Sequence, residues 1–543
     1  MDAAGAGVRS DVHAAEPPTE PRPGTAMSGE GFATRDRDAR RTVVIDMGSN
    51  SFRLVAFSSE PGRWWRRTDE IYDTVRLGAG LLATGRLSDE RMERAVEAIE
   101  VYAHFCAASG IGAADVRAVA TSAIRDAENG GELLERVRAR TGLPAAVLSC
   151  EEEAYYGYLA AVNSTALRDG AVLDLGGGSL QLVRVSGRRF VQSASWPLGT
   201  VRMTERFLAS GKPVGAKQRA ALREHALAEL CALGWVEGLA GGPMVGIGGT
   251  VRNLAAAAAV AAGRPSVGVQ GALLERDALE ELIEELASRG AAERANVGGI
   301  KPGRASVILA GAIVIAAAME AAGAERIEVT HAGLREGVFF SSYLAGNGPP
   351  LFDDVRVATV RNLATVYQPD LKHCTHVAAL AGQLLASLER TVPRAVGLDS
   401  AQLLWAAGML HDIGVSVDYD DHHKHSRYLI LAASLPGYSQ RELALIAQTV
   451  RYHRKGTPEL GDLAPLCEPG DEQFLARLSS LLRLAEHLDR GRDGAVVRAA
   501  LHEVDHRLDL ELEVEGDAAL ARWGAERQSE LFRKAFGRPL ALT

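Results

Sequence analysis

VVIDMGSNSFRLVAF (Val43 to Phe57) and AVLDLGGGSLQLVRV (Ala171 to Val185) lie 128 positions apart and align without a gap. They share Val44/Val172, Asp46/Asp174, Gly48/Gly176, Ser51/Ser179, Leu54/Leu182 and Val55/Val183. The pattern predicts one unit used twice: a buried strand ending in Asp, a turn of small residues, and a second strand with alternating apolar positions. Glycine and serine let the backbone approach a bulky anion, and successive N–H groups in a turn form a concave site for phosphate oxygens. An Asp at the strand end suits a divalent cation, Mg2+ held through water, which offsets the charge of a polyanion. A single DxG turn is commonplace. Two of them facing each other across a cleft would clamp a phosphate chain from both sides.

The 543 residues are too many for one core. Hydrophobic content of 47% with 24% charged residues is that of a globular protein, and a net charge of -9 argues against a general nucleic-acid binder. Cys106, Cys150, Cys231, Cys374 and Cys467 are scattered without CxxC spacing, which fits a reducing cytoplasm better than a disulfide framework. Residues 1–41 read as a disordered extension rather than a signal peptide. The most apolar stretch, Ala305 to Met319, is short for a bilayer and predicts a buried helix, with no membrane partner.

From residue 42 the pattern alternates strands and helices, and it restarts at the second copy, giving expected lobes over 42–168 and 169–345. A third turn, MVGIGGTVRNLAAAA (Met244 to Ala258), joins an apolar strand to a helix whose first amides can receive an anion. AGNGPPLFDD then reads as a linker. Residues 352–492 are helical by periodicity and hold eight of the fourteen histidines. HRLDLELEVEG and a helix near Ala518 to Phe536 suggest a small α+β tail over 493–543.

The duplicated clip resembles the actin and sugar-kinase superfamily, which implies an α/β fold of two ribonuclease-H-like lobes. DMGSNSFRLV, ATSAIRDAENG, EEEAYYGY, DLGGGSLQLV and HAGLREGV, in that order, resemble the exopolyphosphatase and guanosine pentaphosphate phosphohydrolase (Ppx/GppA) family over about residues 42–345. By that resemblance Glu153 is the general base, able to deprotonate an attacking water, although Glu151, Glu152 and Glu153 would equally suit a helix N-terminus through its dipole. Arg125 is implied to pair with phosphate oxygens as charge builds in the transition state. Asp46 and Asp174 would organise Mg2+. Ser49, Asn50, Ser51, Gly176, Gly177, Gly178 and Ser179 would cradle phosphates, with Gly248, Gly249, Thr250, Arg304, Arg335 and Glu336 as further candidates. Gln181 departs from the family, which commonly has Glu after the GGGS turn.

HCTHVAALA, MLHDIG, HHKHSRYLI, RYHRKG and RLAEHLDR resemble an HD-type metal phosphohydrolase domain. The resemblance implies His373, His411 and Asp412 as metal ligands, His422 and His453 at a second site, and Glu486 where Asp is usual, with Asp489 one turn away. Two uses stay open: a second divalent-metal hydrolytic centre, or a channel for an anionic chain lined by Lys424, Arg427, Arg451, Arg454 and Lys455. The implied reaction is Mg2+-dependent, processive hydrolysis of the terminal phosphate of inorganic polyphosphate by a cytoplasmic homodimer. Hydrolysis of guanosine pentaphosphate, an ATP-driven phosphotransfer machine, and a non-catalytic polyphosphate or nucleotide sensor are the alternatives.

Overall fold

A computed structural model describes residues 39–239, 241–346, 348–391 and 399–542. Most of the expected amino-terminal extension therefore lies outside the described residues. The first sheet runs β1 (Arg40–Met47), β2 (Phe52–Glu60), β3 (Trp64–Asp73), β4 (Val116–Ala120) and β5 (Ala145–Val147), in the spatial order β3-β2-β1-β4-β5. β1 begins at Arg40, just inside the segment expected to be disordered. The second sheet contains β6 (Gly170–Leu175), β7 (Leu180–Ser186), β8 (Arg189–Trp196), β9 (Met244–Ile247), β10 (Ala272–Glu275) and β11 (Arg326–Val329), ordered β10-β11-β9-β6-β7-β8. Each sheet has an antiparallel three-strand meander followed by a parallel strand beside its first strand. The sequence repeat is thus a repeat of topology. β1 and β6 are central strands flanked on both sides, which is why both read as near-continuous apolar runs.

The helix Cys150–Val162 carries the chain from the first sheet to the second. Ser149 caps it, accepting from the Glu152 amide, while the Glu152 carboxylate returns to the Ser149 amide. This capping box occupies Glu152 and leaves Glu153 on the inward face. The helix packs against Leu334–Tyr343, where Gly337 sits directly on the carbonyl of Tyr156. The apolar stretch forms the helix Ile308–Ala321, buried without a break from Ile308 to Met319 in the core of the second lobe. Among the described residues no helix is long and apolar enough to cross a membrane.

Beyond residue 354 the helices Val355–Tyr367, Leu371–Thr391, Ser400–Leu410, His422–Ala433, Gln440–Arg451 and Asp471–Leu488 pack around one core. The tail shares that core, and it holds more strand than expected: β12 (Val496–Val504), β13 (Arg507–Val514) and β14 (Leu540–Leu542) form one sheet. β12 lacks strict alternation because its flank packs on the helix Leu371–Thr391. The expected single tail helix is two, Ala519–Glu526 and Ser529–Phe536.

Candidate active site

The two repeated turns face each other. In each, the first glycine amide donates to the serine carbonyl three residues on, Gly48 to Ser51 at 3.3 Å and Gly176 to Ser179 at 3.0 Å, so both copies make the same tip. A Cβ added to Gly177 would stand 3.0 Å from the Ser49 Cβ, which measures how closely the tips approach. Between them lies a cavity of about 110 Å³. Its wall includes Ser49, Asn50, Ser51, Gly176, Gly177 and Ser179 from the tips, and Gly248, Gly249 and Arg304 from the third turn and its surroundings. Gly248 has φ 93 and a Cβ there would meet Asp174 Oδ1 at 2.9 Å, so glycine is required both for conformation and for space. The side-chain amide nitrogen of Asn50 is buried with no protein acceptor, a donor left for a ligand in this cavity. Two expected residues stand apart. Gly178 lies behind the wall in a neighbouring cleft, its carbonyl accepting from Arg202 at 3.2 Å, and Thr250 is fully buried beneath the third turn.

Three carboxylates, Asp46, Asp174 and Glu153, face the same cavity. Burial raises the Asp46 carboxyl above its ordinary value against the opposing pull of Arg335, which donates to it at 3.0 Å, and of Arg53. Asp174 lacks such an ion pair among the described residues. Burial, with Glu153 and Asp46 nearby, pushes it up to about 7. Burial also raises Glu153, opposed by Arg125. Arg125, expected to grip phosphate oxygens, is not on the cavity wall. Its Nη1 donates to Glu153 Oε2 at 2.9 Å and to the Leu148 carbonyl at 2.8 Å, so the short helix Ser122–Asp126 presents it to the carboxylate and not to the cavity.

Sequence reasoning passed over several residues that the fold brings here. Ser122 Oγ lies 2.9 Å from Ser49 Oγ. Arg252 donates to the carbonyls of Gly248 at 3.0 Å and His331 at 2.8 Å, and burial lowers its guanidinium to about 10. Arg53, Arg252, Arg304 and Arg335 all line the wall. The signal for Arg252 was its place three residues after Gly249, in the first turn of a helix at a glycine-rich loop. Gln181 Nε2 donates to Ser179 Oγ at 3.1 Å, which ties the departing residue to the second tip.

The histidine-rich segments also converge, in the helical domain. His373, His411, Asp412 and Glu486 are buried together, with Glu486 Oε2 2.9 Å from His373 Nε2. Asp489 takes the opposite face of that ring, 2.7 Å from His373 Nδ1. Of the cations expected to line a channel, Lys424 and Lys455 pair with Asp421, and Arg427 pairs with Asp462.

The sequence model of the Ppx/GppA phosphatase family matches residues 68–345, and that of Ppx/GppA phosphatase domain III matches residues 355–526. Among solved structures, the chain is similar to the Aquifex aeolicus member of the Ppx/GppA family, at 30% identity over 57% of this chain and 99% of that one, with a TM-score of 0.49. An exopolyphosphatase from Cytophaga hutchinsonii is similar at 22% identity over 56% of this chain and 98% of that one, with a TM-score of 0.51, and shares the fold.

Proposed function

Because the chain belongs to the Ppx/GppA phosphatase family, we propose that it hydrolyses the terminal phosphoanhydride bond of inorganic polyphosphate with the help of Mg2+. The observation that carries this reading is a cavity between two phosphate-type tips with Glu153 on its wall, four guanidiniums around it and no aromatic ring among its described lining residues. A guanosine would ask for a stacking surface; a bare phosphate chain asks only for amides, hydroxyls and cations.

The donor set fits Mg2+. Three oxygen-bearing acids converge, and burial, then the neighbouring Glu153 and Asp46, push Asp174 up to about 7, a cost that a dication between these carboxylates would relieve. Asp46 and Asp174 would hold the ion, with Glu153 nearby, and when bound it supplies charge neutralisation of the phosphate oxygens. The remaining steps belong to side chains. Amides of both tips and the Asn50 side chain bind phosphate oxygens, and Arg252 and Arg304 hold the chain behind the terminal group. Arg125 fixes Glu153 through Oε2, so Oε1 is the atom that takes a proton from water. As the water oxygen bonds to the terminal phosphorus, the bond to the bridging oxygen breaks, releasing orthophosphate and a chain one unit shorter. Arg125 is thus a positioning residue. One assay of orthophosphate release from long polyphosphate, guanosine pentaphosphate and ATP, with and without Mg2+, tests this. Faster release from guanosine pentaphosphate would replace the substrate, and no release from any would leave the sensor reading.

A further inference from the structure

Both tips are held from behind. In the first, the carbonyls of Ser49 and Asn50 accept from the amides of Gly78 at 2.8 Å and Arg76 at 2.9 Å. In the second, those of Gly176 and Gly177 accept from the amides of Thr200 at 3.0 Å and Val201 at 2.9 Å, and that of Gly178 accepts from Arg202 Nε at 3.2 Å. A trans peptide points its C=O and the next N–H in opposite directions. Drawing these carbonyls back therefore turns the amides of Asn50, Ser51, Gly177 and Ser179 toward the cavity that those residues line, and none of these amides donates to an acceptor among the described residues. Each tip thus has a brace, residues 76–80 for the first and the helix Thr200–Phe207 for the second. The braces fit tightly: a Cβ on Gly78 would stand 3.1 Å from the Ser49 Cβ, and one on Gly199 would stand 2.1 Å from the Gly178 carbonyl carbon.

The second brace is also fastened to the first lobe. Glu205 Oε1 accepts from the Gly80 amide at 3.0 Å, so one brace holds the other. Arg202 Nη2 donates to Asp126 Oδ2 at 2.7 Å while its Nε holds Gly178. One guanidinium thereby joins the second tip to the short helix Ser122–Asp126, in which the neighbouring Arg125 holds Glu153. The Arg202 and Asp126 side chains are 23% and 40% exposed, so their pairing adds little to stability. What it fixes is position.

We propose that Arg202 and Glu205 are positioning residues for the reaction: with Asp126 and the Gly80 amide they clasp the two lobes behind the tips and set the gap across which the tip amides hold the phosphate chain. The role rests on the proposed hydrolysis, whereas the clasp can be measured without it. The two residues act differently. Glu205 touches only a brace, so its loss loosens the grip on phosphate. Loss of Arg202 also frees Asp126, and with it the helix through which Arg125 places the Glu153 carboxylate.

The test joins steady-state orthophosphate release from long polyphosphate with Mg2+ to melting curves and small-angle X-ray scattering of the full chain. Glu205→Ala should raise KM about tenfold and leave kcat close to wild type, and Glu205→Gln, whose amide oxygen still accepts from Gly80, should recover most of that loss. Arg202→Ala and Asp126→Ala should each raise KM and lower kcat about tenfold, and their combination should be no worse than either alone, because both remove one bond. Melting curves should stay within a few degrees of wild type, which separates misplacement from unfolding. Arg202→Ala combined with Glu205→Ala should scatter with a larger radius of gyration than wild type. Kinetics equal to wild type, or losses at Arg202 and Asp126 that add, would overturn the positioning role. If wild type itself releases no orthophosphate, the hydrolysis reading fails and scattering decides the clasp: a larger radius of gyration in the double variant sustains it, and an unchanged one overturns it.

Discussion

Gln181→Glu places a carboxylate directly opposite Asp174 across the β6–β7 hairpin, at a position only 2% exposed. Directly opposed antiparallel side chains stand about 5 Å apart, and two unit charges at that distance repel by about 3 kcal/mol at an effective dielectric of 20. In the second copy Arg252 and Arg335 pull on Asp174 without forming an ion pair with it among the described residues. The first copy has Arg53 opposite Asp46 and Arg335 bonded to it, whereas Asp174 has been pushed from 3.8 to about 7. Stripped of Mg2+ at pH 8, the variant should therefore lose up to about 3 kcal/mol, a fall in Tm of about 6–12 °C for lobes of this size. An acid raised on folding is destabilising when charged, so the loss should grow as pH rises from about 4 to 7 and fade below that window. With Mg2+ the sign reverses, because the same two carboxylates attract a dication. Recovering half of the repulsion as attraction, about 1.5 kcal/mol, tightens binding roughly tenfold. Calorimetric Mg2+ titration and melting curves with and without the ion measure both effects. A metal-free loss without tighter Mg2+ binding would refute the placement of the cation beside Asp174, and no change in either would refute the claim that residue 181 faces it.

Glu153→Gln removes the proton acceptor but keeps the shape, so orthophosphate release should drop by about 10²–10⁴ while polyphosphate binding persists; a change in KM alone would sink the base assignment. Arg252→Gln removes a buried guanidinium whose hydrogen bonds among the described residues go to backbone carbonyls and not to a carboxylate. It should raise KM several-fold and weaken the dependence of KM on ionic strength, a dependence left unaltered if the residue is only structural. Gly337→Ala drives a methyl group into the Tyr156 carbonyl where two helices cross. The cost should be about 1–3 kcal/mol in a melting experiment, and an unchanged Tm would mean that the crossing is looser than described.

What could be read from the chain was whatever is local or repeated. The Asp–turn–Ser pattern is a property of fifteen consecutive residues, so both hairpins and their tips were legible, as were the capped helix Cys150–Val162 and the buried helix Ile308–Ala321. The partners that tune those tips were not. Arg335 reaches Asp46 from 289 positions away, a distance that no periodicity or motif spacing encodes. Arg125 was visible as a cation in a polar motif, but whether it faces ligand or carboxylate depends on where Glu153 sits after folding, and the fold chose the carboxylate. β12 was missed because one flank lies against a helix, which replaces strict alternation with a mixed pattern.

The repeat therefore hides an electrical asymmetry. Both tips present amides and an Asp, but Asp46 is engaged by Arg335 and lies opposite Arg53, while Asp174 lies opposite a neutral Gln181 and shares its surroundings with Glu153. A divalent cation entering the cavity gains most where negative charge is least compensated, which is on the second tip. Arg53, Arg252, Arg304 and Arg335, drawn from both lobes, then face the oxygens that the cation does not neutralise. A phosphate chain between the tips would meet a metal at the second tip and guanidinium groups from both lobes, with the Glu153 carboxylate on the same wall. Duplication supplied two equal cradles, and the residue seven positions after each Asp, Arg53 in one and Gln181 in the other, makes their charges unequal.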